Sequence, residues 1–276
     1  MDVDGSTFEE EVRGPGEPNL ARAALLFARE IAYPDLRPSV WLARLDEWAE
    51  AVQGGLAPTE PPAARAERLA RFLFDEVGLR GNREDYTDPR NSFLNEVMAR
   101  GLGLPISLSV LYLELAARLG VTADGVGLPG HFVVSVHLPE AARLLDPFHG
   151  GGWIGQAEAA RLVNQTTGFE GPLKPEWLLP TRPRAILARM LVNLRGVYVQ
   201  REAWRPALAV VEHLATLEPD ESEHLRDLGL LHFRSDSRRL GAEYLERYLR
   251  RRPSAPDAEL IRRSLAGLVE QMARLN

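Results

Sequence analysis

Three residues in this sequence have the types and the order of a catalytic triad. They are Ser107, His131 and Asp146. A histidine paired with a carboxylate is held in one tautomer and can act as a base toward a hydroxyl. Backbone N–H groups at the start of a helix can receive an oxyanion. If the three side chains meet, they could transfer an acyl group through a seryl ester.

An apolar helix is expected to carry the serine. The stretch from Gly103 to Val121 is apolar on nearly every helical face, which is typical of a buried helix. Pro105 suits the first helical position, and Gly120 suits the left-handed residue after the last turn. Ser107 then lies in the first turn, at the positive end of the helix dipole.

The histidine and the aspartate fall on β-like segments that follow this helix. Three short runs, 124–128, 131–138 and 143–148, are separated by turn residues, as expected of an antiparallel meander. Alternate residues of a strand point to opposite faces. The pattern alone therefore does not decide whether His131 is buried.

Other uses of the same residues are open at this point. The His–Asp pair could be a polar contact at the edge of the sheet, with Ser107 bonding only a neighbouring backbone group. The cleft could also bind a peptide or a protein tail without chemistry. Asn91, on a short helix that Asp88 caps and Gly101 ends, could lend an amide to the site or have a capping or surface role.

We expect no metal ion and no cofactor. The six histidines form no H-E-x-x-H motif, and the sequence has no cysteine to supply thiolates. His131 and His137 lie about 20 Å apart at strand rise, too far for one ion to bridge. The absence of cysteine also excludes disulfides and a thiol nucleophile.

The composition narrows the classes of partner. The chain is 45% hydrophobic with a net charge of −6, which argues against a nucleic-acid binder with a basic footprint. No apolar run approaches the roughly 20 residues of a membrane span. The first residues are acidic and polar, unlike a signal peptide. These features predict a cytoplasmic protein without membrane or nucleic-acid partners.

The N-terminal part of the chain is expected to be a scaffold. Residues 1–17 have few apolar side chains and are predicted to form a disordered tail. Three amphipathic helices follow, over about 19–32, from Pro38 to Gly54 and from Pro61 onward. Their apolar faces should pack together as a helical layer.

The C-terminal part repeats with a period of 34 residues. LEPD, which contains Pro219, recurs as RRPS with Pro253, and apolar and small residues match in register before each proline. Helix–turn–helix patterning at this period is the tetratricopeptide signature. The first helices of the repeats offer four arginines that could bind a carboxylate-bearing peptide, namely Arg189, Arg195, Arg226 and Arg234. The arginines could instead pair with nearby acidic residues, or the repeats could act as a lid on the first domain.

Three motifs carry a family resemblance. NREDYTDPRNSFLNEVMARGLGLPISLSVLYLELAARLG, GVGLPGHFVVSV and LLDPFHGG occur in that order. The chain resembles the bacterial transglutaminase-like/tetratricopeptide family, whose enterobacterial members were called invasion-gene expression up-regulators. The resemblance covers about residues 20–270 and implies a papain-like core, in which a helix packs on an antiparallel sheet. A proline-rich connection that includes LLPTRPR predicts the domain boundary. We therefore expect an α+β protein with a transglutaminase-like domain over 18–187 and tetratricopeptide-like repeats with a capping helix over 188–276.

The resemblance also assigns roles to the candidate site. His131 and Asp146 match the histidine and aspartate of the family's enzymes, while the cysteine position falls near Pro105 to Ser107 and holds no thiol. We therefore expect a non-catalytic protein- or peptide-binding or regulatory module, with binding residues including Asn91, Arg189 and Arg226. The alternative is a serine-dependent hydrolase or acyl transferase that uses Ser107. Either interpretation predicts a His131 ring nitrogen within about 3.2 Å of an Asp146 carboxylate oxygen.

Overall fold

The chain forms two compact units, Met1–Asn193 and Leu194–Asn276. The computed structural model describes residues 3–57, 59–235 and 237–273, with side chains through residue 266. One helix, α8 (Pro183–Gln200), runs through the division between the units. The expected boundary after residue 187 came from a proline-rich connection, and α8 begins within that connection.

The first unit opens with a short helix where we expected disorder. α1 (Phe8–Arg13) begins in a capping box, in which Glu10 N donates to Thr7 Oγ1 at 3.2 Å and Thr7 N donates to Glu10 Oε2 at 2.8 Å. Phe8 and Val12 are buried. The prediction of a disordered tail over residues 1–17 was wrong for this segment, because two apolar residues at helical spacing and one cap were enough to order it.

The expected helical layer follows α1. It consists of α2 (Leu20–Ile31), α3 (Pro38–Gly54) and α4 (Pro62–Arg71), and α4 continues as a π-helical turn at Phe72–Glu76. α2 is buried on nearly every side from Leu20 to Ala28, where only Arg22 is partly exposed. This layer contacts the central helix of the unit, α6 (Pro105–Arg118).

The central helix begins and ends where Pro105 and Gly120 predicted. Pro105 is its first residue, and Gly120 takes a left-handed φ of +67° after it. Almost all of α6 is buried, including Glu114. That carboxylate accepts hydrogen bonds from Ala21 N at 3.0 Å and from Arg118 Nη1 at 2.7 Å, so the one charged group in the helix interior is paired.

The segment before α6 is more broken than expected. Instead of one short helix, a 3₁₀ turn (Pro89–Ser92) and α5 (Leu94–Arg100) are separated at Phe93, whose backbone is extended. Two-residue strands β1 (Arg80–Gly81) and β2 (Leu102–Gly103) pair in parallel beside them. The break turns the buried side chain of Asn91 toward the preceding loop.

A five-stranded antiparallel sheet covers α6. Its strands are β3 (Ala123–Val126), β4 (Val133–His137), β5 (Ala142–Asp146), β6 (Gly152–Ile154) and β7 (Pro180–Thr181), in the order β6-β5-β4-β3-β7. The predicted meander is thus present, but His131 precedes β4 in a loop. A 3₁₀ turn (Pro147–His149) follows β5, and α7 (Gln156–Thr167) and a 3₁₀ turn (Pro175–Leu178) connect β6 to β7.

The second unit consists of paired helices. After the end of α8 come α9 (Trp204–Leu217), α10 (Glu223–Arg234), α11 (Arg238–Arg251) and α12 (Ala258–Ala273). A core of Leu225, Leu245, Tyr248 and Ile261 joins the last three. Within the described ranges, no helix is both long and apolar enough to cross a membrane.

Candidate functional site

The structure brings His131 and Asp146 together. His131 Nε2 lies 3.0 Å from Asp146 Oδ2, within the expected distance, and both side chains are buried. Asp146 ends β5, and its second oxygen, Oδ1, accepts a hydrogen bond from Phe148 N at 3.0 Å. The carboxylate therefore caps the turn that follows its strand while it binds the histidine.

A second histidine shares the same carboxylate oxygen. His149 Nδ1 lies 2.7 Å from Asp146 Oδ2, and the His149 side chain is 39% exposed. The two imidazole rings are 5.6 Å apart, and Phe148 packs edge-on against both. His149 was not among the site residues that the sequence predicted. Its three-residue spacing from Asp146 was the available signal.

The electrostatics of this cluster favour an ionised carboxylate. Burial alone raises the pKa of Asp146, but hydrogen bonds and charge interactions from His131 and His149 outweigh it and hold this pKa below its ordinary value. An ionised carboxylate only accepts hydrogen bonds. Both histidines therefore donate to Asp146, His131 through Nε2 and His149 through Nδ1.

Ser107 is not bonded to this cluster. Its side chain is fully buried, and Oγ donates to Asn91 O at 2.7 Å and accepts from Leu104 N at 2.9 Å. Among the described residues, no hydrogen bond joins Ser107 to His131. The hydroxyl ties the start of α6 to the 3₁₀ turn at Asn91, which is the backbone-bonding role considered above.

Asn91 serves the loop that precedes it. Its side-chain nitrogen donates to Asp85 O at 2.8 Å, and its side-chain oxygen accepts from Asn82 Nδ2 at 3.0 Å. The residue is fully buried, and both ends of its amide are bonded within the protein. The structure thus gives the Asn91 amide a role in fixing the loop 82–91.

Arg189 binds the backbone of His131. Nη2 donates to the carbonyls of Leu128 at 2.9 Å and His131 at 2.7 Å, and the guanidinium lies 5.4 Å from the Phe132 ring. Burial lowers the pKa of Arg189, and the neighbouring Tyr86 partly opposes this. Arg189 therefore holds the loop that carries His131, a role that its helical position in the sequence did not reveal.

Arg226 is neutralised within the second unit. Its guanidinium bonds Asp227 Oδ1 at 3.0 Å and Asp257 Oδ2 at 3.2 Å. Arg195 forms a further ion pair with Asp227, and Arg234 lies 5.4 Å over the Trp204 ring. The ion pairs of Arg195 and Arg226 correspond to the alternative in which the repeat arginines pair with acidic residues, here Asp227 and Asp257.

An open cleft of about 420 Å³ lies beside the exposed edge of His149. Its floor includes Phe148, packed so closely on β1 that a Cβ at Gly81 would approach the ring to 2.5 Å. The other lining residues are mostly polar, namely Arg80, Asn82, Arg83, Glu84, Leu102 and Gly150. The site is thus a buried His–Asp pair with one histidine at the surface of a polar cleft.

The helix on an antiparallel sheet, with a His–Asp pair on the strand side, defines a transglutaminase-like domain followed by helical repeats. Residues 39–192 match the family model of the transglutaminase-like superfamily, and residues 194–266 match the tetratricopeptide repeat. The chain belongs to the transglutaminase-like superfamily, and the expected fold class is confirmed.

Similar proteins occur in several bacteria. A UPF0162 protein of Xylella fastidiosa is 34% identical over 252 residues, which cover 90% of this chain and 89% of the relative. A UPF0162 protein of Vibrio cholerae is 30% identical, over 82% of this chain and 83% of the relative. Human F-box only protein 21 is 42% identical over 62 residues, or 22% of this chain and 10% of that protein. These names state no activity.

Proposed function

We propose that this is a non-catalytic transglutaminase-like protein that binds a partner protein or peptide. The observation that carries the proposal is the commitment of Ser107. Its hydroxyl is buried and donates its proton to Asn91 O, so the start of α6 presents no nucleophile to His131. Without a thiolate or an activated hydroxyl, no acyl-enzyme can form.

The serine-dependent hydrolase or acyl transferase is the alternative. It would require Ser107 to leave its bonds with Asn91 O and Leu104 N and to turn toward His131. Ser107 would give up two buried hydrogen bonds, and Leu104 N and Asn91 O would keep only their longer mutual bond of 3.4 Å. Each lost bond costs about 0.5–1.5 kcal/mol. We therefore favour binding over catalysis.

The repeats offer a surface for the partner. A groove of about 450 Å³ is lined by residues from α8, α9 and α10, namely Arg195, Val199, Trp204, Asp227, Leu230, Leu231, Phe233 and Arg234. Leu230 is 48% exposed and Val199 is 41% exposed. Large apolar side chains left accessible in a concave surface are typical of protein-interaction sites.

The groove favours an apolar ligand segment. Five of the eight lining side chains are apolar, and of the two arginines Arg195 is paired with Asp227 while Arg234 lies over the Trp204 ring. A helix or extended segment with leucine, methionine or aromatic side chains fits this surface better than the carboxylate-bearing peptide that the arginines suggested. A groove built from so few helices implies weak binding, of the order of micromolar, or about −8 kcal/mol.

The proposal includes a regulatory role and a cytoplasmic location. A protein that binds a partner without chemistry changes how much of that partner is free, and in this way it regulates the partner. The absence of cysteine from the sequence is compatible with a reducing compartment.

Site-specific photo-crosslinking tests the groove. With a benzophenone amino acid at Leu230 of the full-length protein, we expect a discrete covalent adduct with one partner in extracts of cells that make the protein. The same label at Leu260, which is 69% exposed and outside the groove, is the matched control. The adduct should disappear when Val199→Glu places a charge in the groove.

Two results would contradict the proposal. One is an identical set of adducts from positions 230 and 260, which would mean that the groove has no selectivity. The other is an adduct at 230 that persists in the Val199→Glu variant. An adduct with a second copy of this chain would replace the proposed partner with self-association.

A further inference from the structure

The cluster around Asp146 has the donor set of a metal site. His131 Nε2, Asp146 Oδ2 and His149 Nδ1 all lie within 4.8 Å of one another, and both nitrogens are within 3.0 Å of the oxygen. An ion bound at about 2.0–2.2 Å from each donor separates neighbouring donors by about 3–3.5 Å. The two nitrogen–oxygen distances, 3.0 and 2.7 Å, are therefore already close to those around a shared ion, and binding requires the two nitrogens to approach each other.

The charges of the cluster suit a divalent cation. Asp146 carries a negative charge in a buried position, and two imidazole N–H groups now point at a single oxygen of it. A cation at the centre takes the place of these two protons. Each neutral imidazole then carries its proton on the other ring nitrogen, Nδ1 of His131 and Nε2 of His149, and presents a lone pair to the ion.

The surrounding structure holds the Asp146 carboxylate and the backbone of His131 before any ion binds. Oδ1 of Asp146 is held by Phe148 N, which leaves Oδ2 for the ion. The backbone carbonyl of His131 is held by Arg189. Contacts of this kind, which orient the ligands, are a regular part of metal sites in proteins. The third donor, His149, lies at the end of a short 3₁₀ turn before Gly150, and its exposed ring has room to move toward an ion.

We propose that His131, Asp146 and His149 bind one divalent first-row transition-metal ion, for which Zn²⁺ is the representative. Two nitrogens and one carboxylate oxygen suit Zn²⁺ and its neighbours better than Mg²⁺ or Ca²⁺, which prefer oxygen ligands. Three protein ligands leave at least one coordination position open. Because His149 lines the polar cleft, water or a carboxylate from a ligand could reach an ion held by these residues.

The inference is independent of partner binding by the repeats. It also revises the expectation of no metal, which considered His131 and His137 but not His149. His137 forms a pair with Asp124 at 2.9 Å, and both side chains are well exposed, at 46% and 37%. Because His137 belongs to no group of three such donors among the described residues, it provides the matched control.

Calorimetric titration of the untagged, chelator-treated full-length protein with Zn²⁺ alone tests the inference. We expect one ion per chain in the wild type, and an affinity at least about 100-fold weaker in His149→Ala, since loss of a direct ligand should exceed the 10–100-fold effect of losing a supporting contact. His137→Ala should bind as the wild type does. Circular dichroism establishes that both variants are folded, which is expected because each histidine is at the surface.

The visible spectrum of bound Co²⁺ provides a second readout. Bands of a low-symmetry Co²⁺ site should appear in the wild type and in His137→Ala, and they should be absent from His149→Ala. Absence of one-to-one Zn²⁺ binding in the wild type would overturn the inference. Equal Zn²⁺ affinity in the wild type and His149→Ala would overturn it as well.

Discussion

Replacement of Asp146 by alanine is expected to lower the free energy of unfolding by about 3 kcal/mol or more. The change removes the buried acceptor of both His131 and His149 and also frees Phe148 N, which Asp146 caps. Three hydrogen bonds at one buried point are lost together. Urea denaturation of the wild type and the variant measures the difference.

The loss should depend on pH in a defined direction. Interactions with the two histidines lower the pKa of Asp146 in the folded protein, although burial opposes this shift. The stabilisation is therefore present above the unfolded pKa of about 3.9, and it is lost as pH falls through the lower folded value. The difference between the wild type and Asp146→Ala should shrink over that acidic range.

Asp124→Ala is the matched control for Asp146. It removes the carboxylate of another His–Asp pair, with His137, at a similar distance but at the surface. Exposed pairs contribute at most about 1 kcal/mol. Equal destabilisation by Asp124→Ala and Asp146→Ala would contradict the role that we assign to the buried cluster.

Replacement of Gly151 by alanine is expected to cost about 2–4 kcal/mol. The residue has a left-handed φ of +72°, and a Cβ would lie 2.0 Å from Cδ2 of Phe74 in the π-helical turn. A clash with an aromatic ring in the core adds to the backbone strain. Because Gly151 follows the turn that carries His149, the variant should also disturb the contact between His149 and Asp146.

Gly150→Ala separates the two causes. Gly150 also has a positive φ, +88°, but a Cβ there would meet no heavy atom within 4 Å. We expect only the backbone term, about 1–2 kcal/mol. Thermal or urea denaturation of the two variants gives the comparison. A cost for Gly151→Ala no larger than that for Gly150→Ala would mean that the packing on Phe74 is not tight.

Local signals in the sequence predicted the central helix and the sheet well. Pro105 and Gly120 mark the ends of α6, and its apolar composition indicates its burial. The 34-residue spacing of Pro219 and Pro253 predicted the paired helices of the second unit. Such features depend on residues close together in the chain, which is why patterns reveal them.

Other features depend on geometry that patterns do not encode. α1 forms because Thr7 and Glu10 cap it and because Phe8 finds a ring partner in Phe27, 6.2 Å away. Composition gave no sign of either contact. The break at Phe93 divides a segment that read as one helix, and the consequence is the bonding of Asn91 to the preceding loop.

The sequence predicted only part of the candidate site. His131 and Asp146 were found by motif, and their contact is present. His149 was missed because its position depends on the 3₁₀ turn after β5, which returns a ring toward the carboxylate three residues earlier. The roles of Ser107 and Arg189 depend on which distant carbonyl each one reaches, and a single sequence does not contain that information.

We propose that the transglutaminase-like domain does no acyl chemistry. Intact-protein mass spectrometry after incubation with a serine-directed fluorophosphonate tests it most directly, with a parallel assay of glutamine–amine cross-linking and Ser107→Ala as the control. We predict no adduct at Ser107 and no cross-linked product. Labelling of Ser107 that vanishes in His131→Ala, or transamidation that depends on His131, would contradict the account.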